Sequence, residues 1–519
     1  MLKRIKTGLR ERRLAWSLAV VAGVLAFLGF CGCDQFYLEW ICLVPVLWAL
    51  DDPTLTHKEA LAIAWLFGWV GHLGAYTWIT GMLMDFGYLP WPVAIFAFAL
   101  LCFAQSSLFA FWGYGVWRLK TRHGVAIAWG TPVMMVLAEW LVPALFPSYL
   151  ANSQYRQLLF IQSADLWGPL GLTFILTMAS GVIYDTLAWK LRRRGKAPAL
   201  AWVAFATLFV GNLLYGAGAI TSIDDTVAHT DKRIKVGIVQ TNMGIYEKDE
   251  KPAEGLRRHR EQSLELERQG VELIVWPESG YNYAIRDTTK NVAREVLGPI
   301  TTPLIFGAVR VVHNPTGREI YNSAYLVDGD GTVLGTYDKT YLLAFGEYLP
   351  FGDWLPVFYE WSPHTSHFSR GTRTDPLILN GVSYGLLICY EDLLPRFVRK
   401  VMEREPQVLV NITNDAWFGR SREPRIHLAL ALFRTVEHRR YLVRSTNTGI
   451  SAFIDPAGRI LAETPIFARA NLVEEVAPLN GRTVYGVLGD WLAILCLLVV
   501  LWWVRPSVLE AFRHSRKPS

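Results

Sequence analysis

The sequence predicts a chain in two parts: an α-helical membrane domain of about eight transmembrane helices, and a layered α/β domain with a mixed sheet. Three observations predict it. The chain is 52% hydrophobic, with 21 Trp and a mean hydropathy of +0.23, which is too apolar for one soluble globule. At 519 residues it is also too long for one core. The apolar residues gather in long runs before Gly218 and after Gly486. Between them, short apolar strands alternate with amphipathic helical stretches, a pattern of layered α/β packing.

The runs lie near 14–32, 37–50, 59–79, 92–117, 125–146, 168–189, 198–218 and 486–504. Each has about the length of a bilayer-spanning helix, ~17–25 residues. The second is shorter and is expected to extend into its flanks. The first is too long for the apolar region of a cleaved signal peptide, and no clear small-residue cleavage site follows it, so it reads as a retained helix. The expected organisation is a membrane domain over 1–220 with seven transmembrane helices, a soluble domain over 221–485, and a closing helix and tail over 486–519.

Charge predicts the orientation. Lys3, Arg4, Lys6, Arg10, Arg12 and Arg13 precede the first run. Lys58, then Arg118, Lys120 and Arg122, then Lys190, Arg192, Arg193, Arg194 and Lys196 fall in alternate loops, and Arg505, Arg513, Arg516 and Lys517 in the tail. Against these nineteen, the intervening loops near 33–36, 80–91 and 147–167 hold only Arg156. The positive-inside rule then puts residues 220–485 outside the cytoplasm. The same loops account for the net charge of +6, so nucleic-acid binding is not needed to explain it.

In the soluble stretch, residues 221–233 are polar and read as a linker. IKVGIVQ is strand-like, and 253–270 has helical period. VELIVWPE and PLIFGAVRVV are strands. NSAYLVDGDGTVLGTYDK is a hairpin with Asp-Gly turn chemistry, and LILNGVSYGLLICY is two strands about Asn380-Gly381. Residues 393–403 and 425–440 are helical around the strand VLVNITND. VRSTNTGISAFIDPAGRILAE closes with strands and a turn. Runs such as LLIC imply burial on both faces. The stretch 350–375, rich in aromatics, Gly and Pro, reads equally as a mobile lid or a packed surface loop.

Cys389, at the end of LLIC, is the only cysteine of that stretch. A lone exported thiol cannot form an internal disulfide. At a strand end it is held rigidly and can be exposed as a nucleophile. Glu278 ends VELIVWPES, and Lys339 follows the hairpin in GTYDKTYL. Taken singly, a strand-end carboxylate is more often a cap, a lysine after a hairpin a solvated charge, and a lone thiol a small apolar filler. No GxGxxG, GxxxxGK[ST], HExxH or CxxC competes, and the eleven histidines show no metal-ligand spacing. Neither a metal nor a cofactor is expected.

The words WPES (276–279), DKTYLLAFGEYLP (338–350), CYED (389–392), NITNDAWFG (411–419) and STNTGISAFIDPAG (445–458) resemble the nitrilase, or carbon–nitrogen hydrolase, superfamily with its Glu–Lys–Cys triad. The membrane-embedded N-terminal half, the closing helix and AEWLVPALFPSYLANSQY are similar to the apolipoprotein N-acyltransferase family within it. The resemblance implies a nitrilase-like α-β-β-α sandwich. It implies Cys389 as nucleophile, Glu278 as general base and Lys339 as oxyanion partner. Glu347 is similar to a second family glutamate, and Tyr390 and Glu391 to the residues flanking the nucleophile. One departure is the loop QTNMGIYEKDEKP, where the family often carries Trp and this chain has Tyr246 as the only aromatic.

The chemistry is consistent with these residue types. A lysine cation favours the thiolate, a carboxylate takes its proton, and a lysine with a backbone N–H near Tyr390 offsets a tetrahedral oxyanion. The resemblance supplies the substrates: a glycerophospholipid acyl donor, and an apolipoprotein whose N-terminal diacylglyceryl-cysteine offers its α-amine. A lipid leaves a bilayer at a cost of ~0.8 kcal/mol per methylene, which gives the helices a purpose. Two alternatives share part of this reading: a membrane-tethered amidase with water as acceptor, and an inactive membrane scaffold. A transporter is disfavoured, because Asp85, Glu139 and Asp165 sit near the ends of the runs.

Overall fold

The computed structural model describes residues 2–85, 87–192, 196–315, 317–344, 346–349, 354 and 366–515. Most of the stretch 350–375, residues 350–353 and 355–365, lies outside them. The chain forms two compact units, residues 1–80, 91–217 and 488–519, and residues 81–90 and 218–487.

The first unit is helical: α1 Leu2–Gly29, α2 Leu43–Leu50, α3 His57–Ala75, α4 Trp78–Asp85 (its last residues counted with the second unit), α5 Trp91–Gln105, α6 Ser107–His123, α7 Ile127–Leu141, α8 Leu158–Ile161, α9 Ala164–Arg192, the first part of α10 Ala199–Ala228, and a closing helix Trp491–Ser515. Local chemistry sets the ends. Thr56 and Glu59 form a capping box at the start of α3. Gly124, at φ +65, stops α6 after Lys120, Arg122 and His123. Gly168 and Pro169 break α9 near its start. Small residues let helices approach: a Cβ on Gly23 of α1 would come within 2.6 Å of the Phe67 carbonyl oxygen of α3.

Among the described residues, four helices are long and apolar enough to cross a membrane, or five if α3 and α4, bent by 60°, are one span. Three further apolar helices, Phe36–Leu50, Ile127–Leu141 and Trp491–Arg505, are shorter. The eight expected runs are all helical, but eight spans are reached only by counting these short ones. The run expected at 92–117 lies within one candidate span, Trp91–His123, in which α5 and α6 are separated only by a helical turn at Ser106. The linker expected at 221–233 is mostly absent, because α10 continues to Ala228. Helix hydrogen bonds satisfy its polar backbone without an apolar face.

The second unit holds two sheets. The first has the order β13 Ala470–Val476, β1 Ile234–Gln240, β2 Leu273–Val275, β4 Leu304–Asn314, β5 Gly317–Val327, β6 Val333–Asp338, with β3 Tyr281–Arg286 also on β4. The second has the order β12 Ile460–Glu463, β11 Ala452–Ile454, β10 Leu442–Thr446, β9 Val408–Thr413, β8 Val382–Ile388, β7 Leu377–Leu379. β1, β2 and β4 run parallel, as do β8, β9 and β10, while hairpins and the distant strand β13 on β1 add the antiparallel edges. The mixed sheets match the sequence expectation. β3 and β13 were not foreseen. β3 lies in polar YNYAIR, and β13 alternates too weakly to show.

The sheets pack face to face. Val236, Ile238, Val275, Ile305 and Leu326 of one meet Leu386, Ile388, Val410, Ile412 and Val443 of the other in one buried cluster. The outer face of the first sheet is covered by α12 Pro252–Glu267 through Leu256, Leu264 and Leu266; α11 is the short turn Ile245–Glu250 before it. Against the second sheet lie α13 Pro395–Met402 and α14 Glu423–His438, both with buried apolar faces. The layers are therefore α-β-β-α. This stacking brings together the carboxyl ends of β2, β6 and β8, where strands of α/β sheets present their functional side chains.

Candidate active site

Each of the three expected residues leaves a strand end that the packing fixes. Glu278 follows β2 by three residues, Lys339 follows β6 directly, and Cys389 follows β8 directly. The turn at Glu278 passes so close to β4 that a Cβ on Gly307 would lie 2.8 Å from the Glu278 Cα. Ser279, next to it, takes a left-handed backbone at φ +55. Cys389 is itself left-handed, at φ +52, a conformation that costs an L-residue ~1–2 kcal/mol. It opens the 3₁₀ turn Cys389–Leu393. Such strain persists only where surrounding contacts enforce it.

Lys339 is 1% exposed and Glu278 7%. The Lys339 ammonium lies 2.8 Å from Glu347 and 3.7 Å from Glu278 Oε1. Asn322 on β5 donates from one amide nitrogen to both carboxylates, at 2.7 Å to Glu278 and 3.0 Å to Glu347. Burial works against the lysine cation, but Glu347, Glu278 and Cys389 outweigh it and raise its pKa, so the side chain stays charged. At Cys389, burial and the Glu278 charge raise the thiol well above its ordinary value, against the Lys339 cation and a hydrogen bond with Thr413.

Glu391 is fully buried and acts as a clamp. Its Oε1 accepts from the backbone N–H groups of Thr340 and Tyr341, at 2.7 and 2.8 Å. Its Oε2 accepts from Ile388 N–H and the Tyr337 hydroxyl, each at 2.8 Å. It thus ties the residues after Lys339 to the residue before Cys389. Burial raises it to about 7, against these donors and Lys339. Tyr390 is buried, with its ring 6.2 Å from that of Tyr341. All six expected residues, Glu278, Lys339, Glu347, Cys389, Tyr390 and Glu391, thus lie on the three loops that meet at this edge of the sheets.

The sequence reading missed what stands behind them. Asn322 shows no signal beyond its place in a strand. Arg444 does: an arginine inside the apolar strand LVRST requires buried partners. It has them in Asp392 at 2.5 Å, Asn411 at 2.8 Å and Asp415 at 3.4 Å. His427 bridges Asp392 and Asp415, at 2.9 and 3.1 Å. Burial and Arg444 depress His427, but the two aspartates prevail and raise it to about 10. Asp415, Glu423 and His427 converge within 4.8 Å, a grouping that histidine spacing did not reveal. Both imidazole nitrogens already face carboxylates and Arg444 adds a second cation, so protein cations balance this cluster.

Two family profiles match the chain: carbon-nitrogen hydrolase over residues 235–478, and apolipoprotein N-acyltransferase N-terminal domain over residues 22–182. An apolipoprotein N-acyltransferase of Geobacter metallireducens is 30% identical over 508 residues, covering 93% of this chain and 94% of the relative. One of Rhodopseudomonas palustris is 29% identical, covering 98% of each. Among solved structures, a mutant of the Nesterenkonia AN1 amidase from the nitrilase superfamily is 21% identical with a TM-score of 0.34, covering 47% of this chain and 90% of that one.

Proposed function

The chain belongs to the apolipoprotein N-acyltransferase family, and from that premise we propose a two-step acyl transfer carried by Cys389, Glu278 and Lys339. The protein is a membrane enzyme, an N-acyltransferase acting on lipoproteins. The donor is a glycerophospholipid, and the acceptor is the α-amine of the N-terminal diacylglyceryl-cysteine of an apolipoprotein. The observation that carries the triad is a fully buried lysine cation shared by two carboxylates, electrostatically coupled to a thiol on a left-handed strand end.

Glu278 takes the thiol proton as sulfur attacks the ester carbonyl of the donor. The oxyanion is offset by the Lys339 ammonium and the backbone N–H of Tyr390, donors of a kind worth ~3–4 kcal/mol each. Collapse breaks the C–O bond, and the departing lysolipid oxygen takes the proton from Glu278. The thioester on Cys389 remains. The acceptor amine attacks it, Glu278 takes the amine proton, and collapse forms the amide and returns the proton to sulfur. Glu347 and Asn322 hold Lys339 and Glu278 in register. The basic residues of the alternate loops support a cytoplasmic-membrane location with residues 221–485 on the periplasmic face.

The purified enzyme is incubated with labelled phospholipid and no acceptor, and the Cys389 peptide is then weighed. The expected result is one acyl chain on Cys389 that neutral hydroxylamine removes and that Cys389→Ala abolishes. An acyl chain elsewhere, or transfer retained by Cys389→Ala, sinks the assignment. The amidase alternative is not favoured, since the transferase relatives cover nearly the whole chain rather than the hydrolase-like part alone.

A further inference from the structure

Arg444 contacts neither Glu278, Lys339 nor Cys389 directly, yet its hydrogen bonds converge on the nucleophile's turn. The guanidinium Nη1 donates to Asn411 Oδ1 at 2.8 Å, and the Asn411 amide nitrogen donates to the Cys389 carbonyl at 3.2 Å. The same amide nitrogen lies 3.4 Å from the Leu387 carbonyl, so it also grips the strand before the turn. Nη1 further donates to Asp392 Oδ2 at 2.5 Å. Cys389 and Asp392 lie at opposite ends of the turn Cys389–Leu393. One buried cation on β10 therefore holds the start of the turn through β9 and its end directly. Arg444, Asn411 and Asp392 are all fully buried.

We propose that Arg444 is a positioning residue for acyl transfer, acting through Asn411 and Asp392 to hold Cys389 in its left-handed conformation. A residue at φ +52 relaxes toward negative φ unless it is held. That relaxation turns the peptide joining Cys389 to Tyr390, and with it both the sulfur and the Tyr390 N–H. Asn411 holds the carbonyl oxygen of that same peptide. Rotation about this link moves the attacking atom and the oxyanion donor together, so the lost rate exceeds what either group alone would lose. His427 and Asp415 complete the support, by bridging Asp392 and by contacting Arg444 from the far side.

The inference rests on Cys389 being the nucleophile, and the experiment separates the two ideas. Full-length enzyme is made as wild type, Cys389→Ala, Arg444→Lys and Asn411→Asp. Arg444→Lys keeps the charge but cannot span Asn411 and Asp392. Asn411→Asp keeps the volume and the acceptor for Arg444, and replaces the NH₂ aimed at the Cys389 and Leu387 carbonyls with a carboxylate oxygen that repels them. With labelled phospholipid and no acceptor, the number of Cys389 sites that finally acylate is counted apart from the rate constant per acylated site.

The expected result is a fall in the per-site rate of ~30-fold or more for both variants, with the donor concentration at half-saturation within about twofold of wild type. A purely structural role would reduce the number of acylated sites and leave the per-site rate at the wild-type value, and that outcome overturns the proposal. If Arg444→Lys does not fold, Asn411→Asp decides alone. If wild type itself gains no acyl chain on Cys389, the nucleophile assignment fails first, and the positioning role falls with it.

Discussion

Replacing Glu391 by Gln tests whether the Lys339 loop and the Cys389 turn work as one piece. The carboxylate accepts from Thr340, Tyr341, Ile388 and Tyr337. Gln has one accepting oxygen. With that oxygen on the Thr340 and Tyr341 N–H groups, its NH₂ faces the Ile388 N–H, while the Tyr337 hydroxyl rotates to accept. The substitution therefore loses one hydrogen bond to a charged acceptor, ~1.5–3 kcal/mol, and strands a buried donor at ~1–3 kcal/mol more. The sum is about 2.5–6 kcal/mol at the joint between the two loops. Where it appears as misplacement of about 1 Å rather than unfolding, it slows the reaction ~10²-fold. The assay is single-turnover acylation of Cys389 by labelled phospholipid in detergent-solubilised enzyme, scored per folded molecule by gel filtration. Glu391→Gln acylating within threefold of wild type would refute the coupling.

The remaining expectations concern charge and topology. Because Glu278 raises the Cys389 thiol and Lys339 lowers it, Glu278→Gln moves the alkylation–pH profile of Cys389 with iodoacetamide to lower pH and Lys339→Met moves it to higher pH, while both abolish transfer; shifts in the opposite sense contradict the electrostatics. His427 is raised from 6.5 to about 10 in the folded protein. Its contribution to stability is thus full below pH 6.5 and lost as pH rises toward 10, so His427→Gln flattens the fall in melting temperature over that range, and an unchanged slope counts against the bridge. Asn322→Leu removes the shared donor of Glu278 and Glu347 and lowers the acylation rate ~10–100-fold, measured in the same single-turnover assay. A periplasm-active reporter fused after Ile300 is expected to be active and a cytoplasm-active one silent; the reverse removes the topology and with it the access to outer-leaflet lipid.

Much was legible in the chain itself. Local signals carry a long way where one residue type has one physical role: the Asn380-Gly381 turn and the apolar strand ahead of Cys389. The Glu, Lys and Cys words were readable through their resemblance to the nitrilase superfamily, since a strand-end carboxylate, lysine or thiol taken singly more often has a structural role. The helix count was less so. Three of the eight expected runs form shorter apolar helices, Phe36–Leu50, Ile127–Leu141 and Trp491–Arg505, and hydropathy marked only the first of them as short. The polar stretch after Gly218 looked like a linker, since composition alone does not reveal a helix without an apolar face.

What the order of amino acids determined was the kinds of groups available, their sequence along the chain, and the side of the membrane that its basic loops favour. What only tertiary structure decided was how those groups act on one another. The lysine cation sits between two carboxylates, and the Cys389 thiol is pushed up by burial and the Glu278 charge and pulled down by Lys339. The Arg444 support of the Cys389 turn was likewise invisible, since it joins residues 389, 392, 411 and 444. Electrostatic energy depends on distance and on exclusion of water, and neither quantity exists until the two sheets have closed on each other.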